Sequence, residues 1–318
     1  MPSTHEPMPL LFSAPDVDRL AARRDDAAWL AAALTDADTR FVPVCGGDVA
    51  VDEASGTPRP VLFDPAQATD LLPQAQSLVL LGRFDGHSCF ALGLPAETLP
   101  ETQRSNLRRL FPLLPAAEVA LLAYARAMVH WHARHSFCGA CGSPTESTRG
   151  GHERSCPACD IQSYPRLDPA IIVLVTHEDR CLLGRQPSWP EHQFSTLAGF
   201  VEPGETLEAA VQREVMEETD IRVRAPQYQH SQPWPFPSSL MLGFRAEAET
   251  TDIHCNDGEL AEARWFTRED IISEAATGRP VLPPSLSISY RLIRDWFESH
   301  PDYSVAGLAA RNPGVFRP

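Results

Sequence analysis

Two pairs of cysteines, Cys138-Gly-Ala-Cys141 and Cys156-Pro-Ala-Cys159, constrain this chain more than any other feature of it. Each C-x2-C turn lets two thiolates converge on one ion, and the fourteen residues between the pairs match the spacing of structural zinc sites. Four thiolates complete a tetrahedral shell around one Zn²⁺ per chain and leave no position open to water, so the ion is expected to be structural. The Gly and Pro residues inside equally spaced turns favour ligands over unpaired core thiols. His130, His132 and His135 lie just upstream. They could compete as ligands, but four cysteines already satisfy the ion and the histidines end a predicted helix, where a cationic side chain is favourable in any case. Cys45, Cys89, Cys181 and Cys255 have no ligand spacing and read as structural.

A metal-bound knot of this kind suits a compartment that keeps thiols reduced, and the expected location is the cytoplasm. The N-terminal segment lacks the basic-then-apolar layout of a secretory signal, and no run approaches the roughly 18 apolar residues of a membrane span. A formal net charge of −15 repels a bare nucleic-acid backbone and argues against a general DNA or RNA coat protein. The same acidity is compatible with a site that gathers divalent cations.

Hydrophobic periodicity predicts a helix over 16–34, strands at 40–51, 59–63, 77–84 and 87–94, and a second helix over 116–135 that delivers the chain to Cys138. The expected domains are an N-terminal α+β domain at 1–130, the zinc ribbon at 131–166, a mixed α/β unit at 167–300 and a tail at 301–318. Strands in the third unit are expected at 170–176, 180–185, 194–200, 222–230 and 239–249, with helices at 206–219, 268–276 and 287–299. The prolines at 233–237 exclude regular helix or central strand there.

The segment from Gly199 to Ile221 has a physical logic of its own. Thr206 follows a Pro-Gly turn and can cap a helix, and Leu207, Ala210, Val211 and Val215 form an apolar stripe that anchors it. Glu214, Glu217 and Glu218 then fall within one turn on another face. Three such carboxylates repel one another unless cations bind among them, and hard oxygen ligands suit Mg²⁺ or Mn²⁺. A solvated acidic face would explain scattered glutamates, but not the turn in front of them or Arg213 beside Glu214.

This segment resembles the Nudix box, G-x5-E-x7-R-E-U-x-E-E-x-G-U, in which U is aliphatic. Gly199, Glu205, Arg213, Glu214, Val215, Glu217, Glu218 and Ile221 meet its fixed positions, and Asp220 stands where the family has Gly. That position ends the helix and calls for a left-handed backbone, which Asp tolerates at a small expected cost in stability. The resemblance implies an α+β protein whose last domain is a Nudix α/β/α sandwich with a mixed sheet, hydrolysing a nucleoside diphosphate linked to another group.

Ten residues past the box, Ser231-Gln232-Pro233-Trp234-Pro235-Phe236-Pro237-Ser238-Ser239 resembles the signature of the NADH pyrophosphatase subfamily, whose other hallmark is a zinc ribbon ahead of the Nudix domain. A proline-stiffened loop presents its aromatic and amide groups at little cost in ordering entropy. The resemblance implies substrate contacts from Gln232 to Ser239, stacking by Tyr164 and Phe200, and pocket closure by the small residue Ser289. It implies Mg²⁺ or Mn²⁺ ligation by Glu214, Glu217, Glu218, Glu259 and the carbonyl of Ala198. Glu218 is the expected general base, with Arg213 and Glu205 orienting the carboxylates.

The expected substrates are NADH and NAD⁺, split into a nicotinamide mononucleotide and AMP, together with the NAD cap of an RNA 5′ end. The expected assembly is a homodimer. Two other readings are carried forward: a Nudix hydrolase of ADP-ribose or a diadenosine polyphosphate, and a non-catalytic zinc-ribbon interaction module.

Overall fold

The computed structural model describes residues 10–14, 16–52, 56, 58–256, 258–278 and 282–312. They fall into two compact units, one comprising Phe12–Leu167 with Pro235–Ser238, the other Met1–Leu11, Asp168–Trp234 and Ser239–Pro318.

In the first unit, Thr39–Cys45 and His87–Leu94 pair in parallel at the middle of a sheet. Asp48–Asp52 and Ser77–Phe84 add antiparallel strands on either side. The predicted strand 40–51 is really a hairpin. Gly46 (φ 59°) and Gly47 (φ 98°) take the left-handed conformations a tight hairpin turn needs, and these cost glycine least. Of the strand predicted at 59–63, Arg59–Pro60 pairs in the ladder and Phe63 bridges singly to Phe41. The helix predicted over 16–34 is also broken: Leu20 is left-handed, a 3₁₀ turn spans Ala21–Arg23, and a helix covers only Ala27–Ala33. Asp26 explains the late start, because its carboxylate accepts the Trp29 N–H and caps that helix. The long helix Ala116–Arg134 forms as expected and packs on the sheet through residues such as Val119, Leu122 and Ala125.

The cysteine-rich segment adds a small sheet of Glu146–Thr148, Glu153–Ser155 and Gln162–Ser163. Two imidazoles, His132 buried and His152 half-buried, fasten it. His132 Nε2–H donates to the Gly151 carbonyl at 2.8 Å while its Nδ1 accepts from Arg154 at 2.9 Å, and His152 Nε2–H donates to the Leu80 carbonyl at 2.7 Å. His135 donates to the Trp131 carbonyl. These bonds engage His132, His135 and His152 with protein groups rather than with the cysteines.

The second unit is built around Asp168–His177, whose alternate residues face opposite ways, as the pleat requires. Ile172 and Leu174 enter one core with helices Arg268–Ala276, Ile288–Phe297 and Val305–Arg311. Ile171, Val173 and Val175 enter the other with Ala210, Val211 and Val215 of helix Leu207–Thr219. The mixed sheet is therefore sandwiched between helices, in the order Val223–Trp234, Ser239–Ala248, Asp168–His177, Arg180–Arg185, Glu262–Phe266. Asp168–His177 and Ser239–Ala248 run parallel, and Leu197–Phe200 pairs antiparallel with the same central strand. The strand Val223–Trp234 runs on to include Pro226 and Pro233, which its position at the sheet edge tolerates. The segment set apart as a tail contains the helix Val305–Arg311, with Val305 and Leu308 buried in the first of these cores.

Candidate active site

The box folds as a strand, a turn and a helix. Thr206 accepts the Ala209 N–H and starts the helix. Asp220 closes it with φ 60° and ψ 17°, and its N–H donates to the Met216 carbonyl. The apolar stripe Ala210, Val211 and Val215 is wholly buried and fixes the rotation of the helix. Glu214 and Glu218, one turn apart, are consequently buried, while Glu217 is exposed.

Arg213 organises these carboxylates. Its guanidinium contacts Glu205 at 2.6 and 2.9 Å, Glu214 at 2.9 Å, Glu217 at 2.8 Å and the Phe200 carbonyl at 2.9 Å. Hydrogen bonds from Arg213 hold the Glu205 carboxyl down at about 2. Burial pushes Glu214 the other way, above its ordinary range; Arg213 opposes the shift, while Glu217 and Glu259 reinforce it. Glu259, although exposed, thus lies within electrostatic reach of Glu214. Ala198 and Gly199 sit in the adjoining strand opposite Ile172 and Ile171. Gly199 is required by a close approach: a Cβ there would lie 1.9 Å from the Glu214 carboxyl carbon.

The four cysteines converge. Cys138 and Cys159 sulfurs are 3.7 Å apart, Cys141 and Cys156 3.5 Å, and Cys141 and Cys159 3.6 Å. A tetrahedron of thiolates about 2.3 Å from a zinc ion has edges near 3.8 Å, whereas a disulfide would need about 2.05 Å. All four sulfurs lie within 4.8 Å of one another. Both turns are closed by a left-handed residue after the second cysteine, Gly142 (φ 75°) and Asp160 (φ 56°). The glutamate oxygens are not gathered this tightly among the described residues.

The loop from Ser231 to Ser239 divides its labour. Gln232 is fully buried: its amide N–H groups donate to the Leu11 and Leu286 carbonyls, and its oxygen accepts the Ile288 N–H at 2.8 Å. Gln232 therefore spends its polar groups on the protein backbone instead of presenting them to a ligand. Pro233 and Trp234 pair with Leu240 and Ser239. The tip, Pro235–Ser238, belongs to the unit of residues 12–167, where Phe236 lies 4.0 Å from the Arg108 guanidinium, with Arg126 at 5.2 Å and Phe12 edge-on at 5.7 Å. Arg126 also bonds the Pro235 and Gly47 carbonyls. Tyr164 and Phe200 are exposed, as groups offered to a ligand must be. Ser289 is buried, its hydroxyl accepting from the Thr196 N–H and bonding the Ser195 and Thr196 hydroxyls.

Comparison with known proteins matches residues 166–286 to the NUDIX domain and 133–164 to the NADH pyrophosphatase zinc ribbon domain. Residues 38–131 match the NADH pyrophosphatase-like rudimentary NUDIX domain. The chain is 45% identical to the NAD-capped RNA hydrolase NudC of Deinococcus radiodurans, over 69% of this chain and 77% of that protein. It is 36% identical to the Mycobacterium bovis protein of the same name, over 90% and 96%. To human NAD-capped RNA hydrolase NUDT12 it is 41% identical over 67% of this chain, matching about half, 51%, of that longer protein. The chain belongs to the Nudix hydrolase family.

As a Nudix hydrolase it carries a zinc-ribbon domain whose four cysteines are all present and gathered to hold one metal ion. The sequence singled out both the cluster and the box, but missed two things. The rudimentary Nudix character of residues 38–131 leaves no row of box glutamates to find. The hydroxyls of Ser195 and Thr196 acquire a role only when Ser289 folds onto them. Among the described residues, no helix is long and apolar enough to cross a membrane.

Proposed function

We propose that this chain hydrolyses the pyrophosphate bond of NADH and NAD⁺, giving a nicotinamide mononucleotide and AMP, and removes the NAD cap from RNA 5′ ends by cutting the same bond. The observation that carries this reading is the helix Leu207–Thr219, which holds Glu214 and Glu218 in a buried row beside the strand of Ala198 and Gly199, in a chain that also bears the Ser231–Ser239 motif. The relatives named above, which bear the name NAD-capped RNA hydrolase, support it.

The residues present fit a hard divalent cation. They are carboxylate oxygens, and the missing side chain at Gly199 leaves room for the Glu214 carboxylate against the backbone. Glu214, Glu217, Glu218, Glu259 and the Ala198 carbonyl would hold Mg²⁺ or Mn²⁺, which supplies charge neutralisation at the two phosphates. Arg213 holds Glu214 and Glu217 at fixed positions, and Glu205 holds Arg213. Glu218, the more buried carboxylate of the row, takes the proton of the attacking water. Phe200 and Trp234 offer rings for stacking on the bases. Cys138, Cys141, Cys156 and Cys159 hold one structural Zn²⁺. The assembly is a homodimer working in the cytoplasm.

The test is turnover of zinc-loaded protein with Mg²⁺ or Mn²⁺ on NADH, NAD⁺, NAD-capped RNA, ADP-ribose and a diadenosine polyphosphate, with AMP release as readout. Glu218→Gln should abolish release while leaving the zinc content and melting temperature unchanged. Faster turnover of ADP-ribose or the diadenosine compound would overturn the substrate reading. Absence of turnover on all five would leave the ribbon as an interaction module.

A further inference from the structure

Asp220 occupies the box position where the family has glycine, and it does more there than tolerate a left-handed backbone. Its carboxylate lies 3.4 Å from Nδ1 of His254. The His254 N–H also donates to the Thr219 carbonyl at 3.0 Å, one of the carbonyls that the end of helix Leu207–Thr219 leaves without a helical partner. His254 is therefore attached twice, once through its ring and once through its backbone, to the last turn of the helix bearing Glu214 and Glu218. Five residues after His254 in the sequence stands Glu259.

The chain around His254 is held elsewhere too. Trp265 Nε1–H donates to the Thr251 carbonyl, and Ile253 packs on the core that buries Leu260. The backbone bond from His254 would persist with glycine at 220. The contact between the side chains of Asp220 and His254 would not.

We propose that Asp220 and His254 form a latch that fastens the segment leading to Glu259 onto the end of the box helix, and so sets how tightly the site holds its divalent cation. Both are positioning residues, and the proposal rests on the assignment of Glu259 as a metal ligand. A purely local view of Asp220 makes the opposite forecast for one variant: Asp220→Gly relieves a left-handed non-glycine residue and should only help.

The experiment is a Mn²⁺ titration of the zinc-loaded full chain, followed by the electron paramagnetic resonance signal of free Mn²⁺. It is run on wild type, Asp220→Gly, Asp220→Asn, His254→Ala, the double variant Asp220→Gly/His254→Ala, and Glu259→Gln. An exposed pair of this kind predicts Mn²⁺ binding weakened about three- to tenfold in D220G and H254A, with kcat at saturating Mn²⁺ within about twofold of wild type. The double variant should be no weaker than either single one, and D220N, which keeps an acceptor facing His254, should bind nearly as wild type. D220G should melt at or above the wild-type temperature, which separates lost positioning from lost folding.

Wild-type Mn²⁺ affinity in D220G and H254A, or losses that simply add in the double variant, would overturn the latch. If Glu259→Gln also leaves Mn²⁺ binding intact, it is the ligand assignment that has failed; if Glu259→Gln weakens binding while the latch variants do not, only the latch has failed.

Discussion

Replacing Gly199 with alanine adds one carbon at the most crowded point of the site. The new Cβ would lie 1.9 Å from the Glu214 carboxyl carbon and 2.0 and 2.1 Å from its oxygens, where nonbonded carbons prefer about 3.5 Å or more. The strand cannot retreat, because Gly199 is paired with Ile171 of the central strand. Nor can the helix, whose Val211 and Val215 are fully buried. What remains is for the Glu214 side chain to rotate away, giving up its 2.9 Å contact with Arg213. Losing one charge-assisted hydrogen bond costs about 1.5–3 kcal/mol, offset by the lower chain entropy of alanine, about 0.5–1 kcal/mol. The net loss of about 1–2 kcal/mol should lower the melting temperature by only a few degrees, roughly 2–6 °C. Catalysis should suffer far more, since moving a catalytic ligand by an ångström or more costs on the order of a hundredfold. Calorimetry together with kcat/KM for NADH at saturating Mn²⁺ would check both numbers. A variant that keeps activity within about threefold of wild type would refute the claim that Glu214 works from the space beside Gly199.

Other consequences can be measured as directly. Burial holds His132 and His152 at about 4, well below the ordinary 6.5, despite opposing hydrogen bonds to the Gly151 and Leu80 carbonyls. A depressed imidazole is protonated more readily in the unfolded chain, so stability is full above pH 6.5 and is lost as pH falls towards 4, by up to about 3 kcal/mol for each group; melting temperature against pH reads this out. Gln232→Leu should cost about 3 kcal/mol or more, because three backbone groups lose their partner inside the protein, and urea unfolding measures it. Cys156→Ser should abolish stoichiometric zinc by elemental analysis and sharpen proteolysis within the ribbon, since three thiolates leave a four-coordinate shell incomplete.

How much was legible in the sequence depends on the distance over which each feature is decided. The Thr206 cap, the buried stripe, the row of glutamates and the left-handed Asp220 are all set within a few turns of one helix, and periodicity finds them. The cysteine turns are as local. Gln232 was read as a ligand contact because its motif is local, but its partners at Leu11, Leu286 and Ile288 are not. The hairpin at Gly46 and Gly47 carries its signal in plain view, a Gly-Gly-Asp step between two apolar runs. The late start of helix Ala27–Ala33 has a local signal in its cap Asp26, whereas the left-handed backbone at Leu20 has none.

The parallel pairing of the two middle strands also governs when the site can come into being. Asp168 meets Ser239, and everything between them, including the whole box, must leave the ribosome before that pairing can close. A nascent chain halted at Ile221 would already own every box glutamate yet have no parallel neighbour to complete the sheet that carries them. Assembly of the proposed site is thus a late event in the life of each molecule, gated by a contact that spans the box rather than by the box itself.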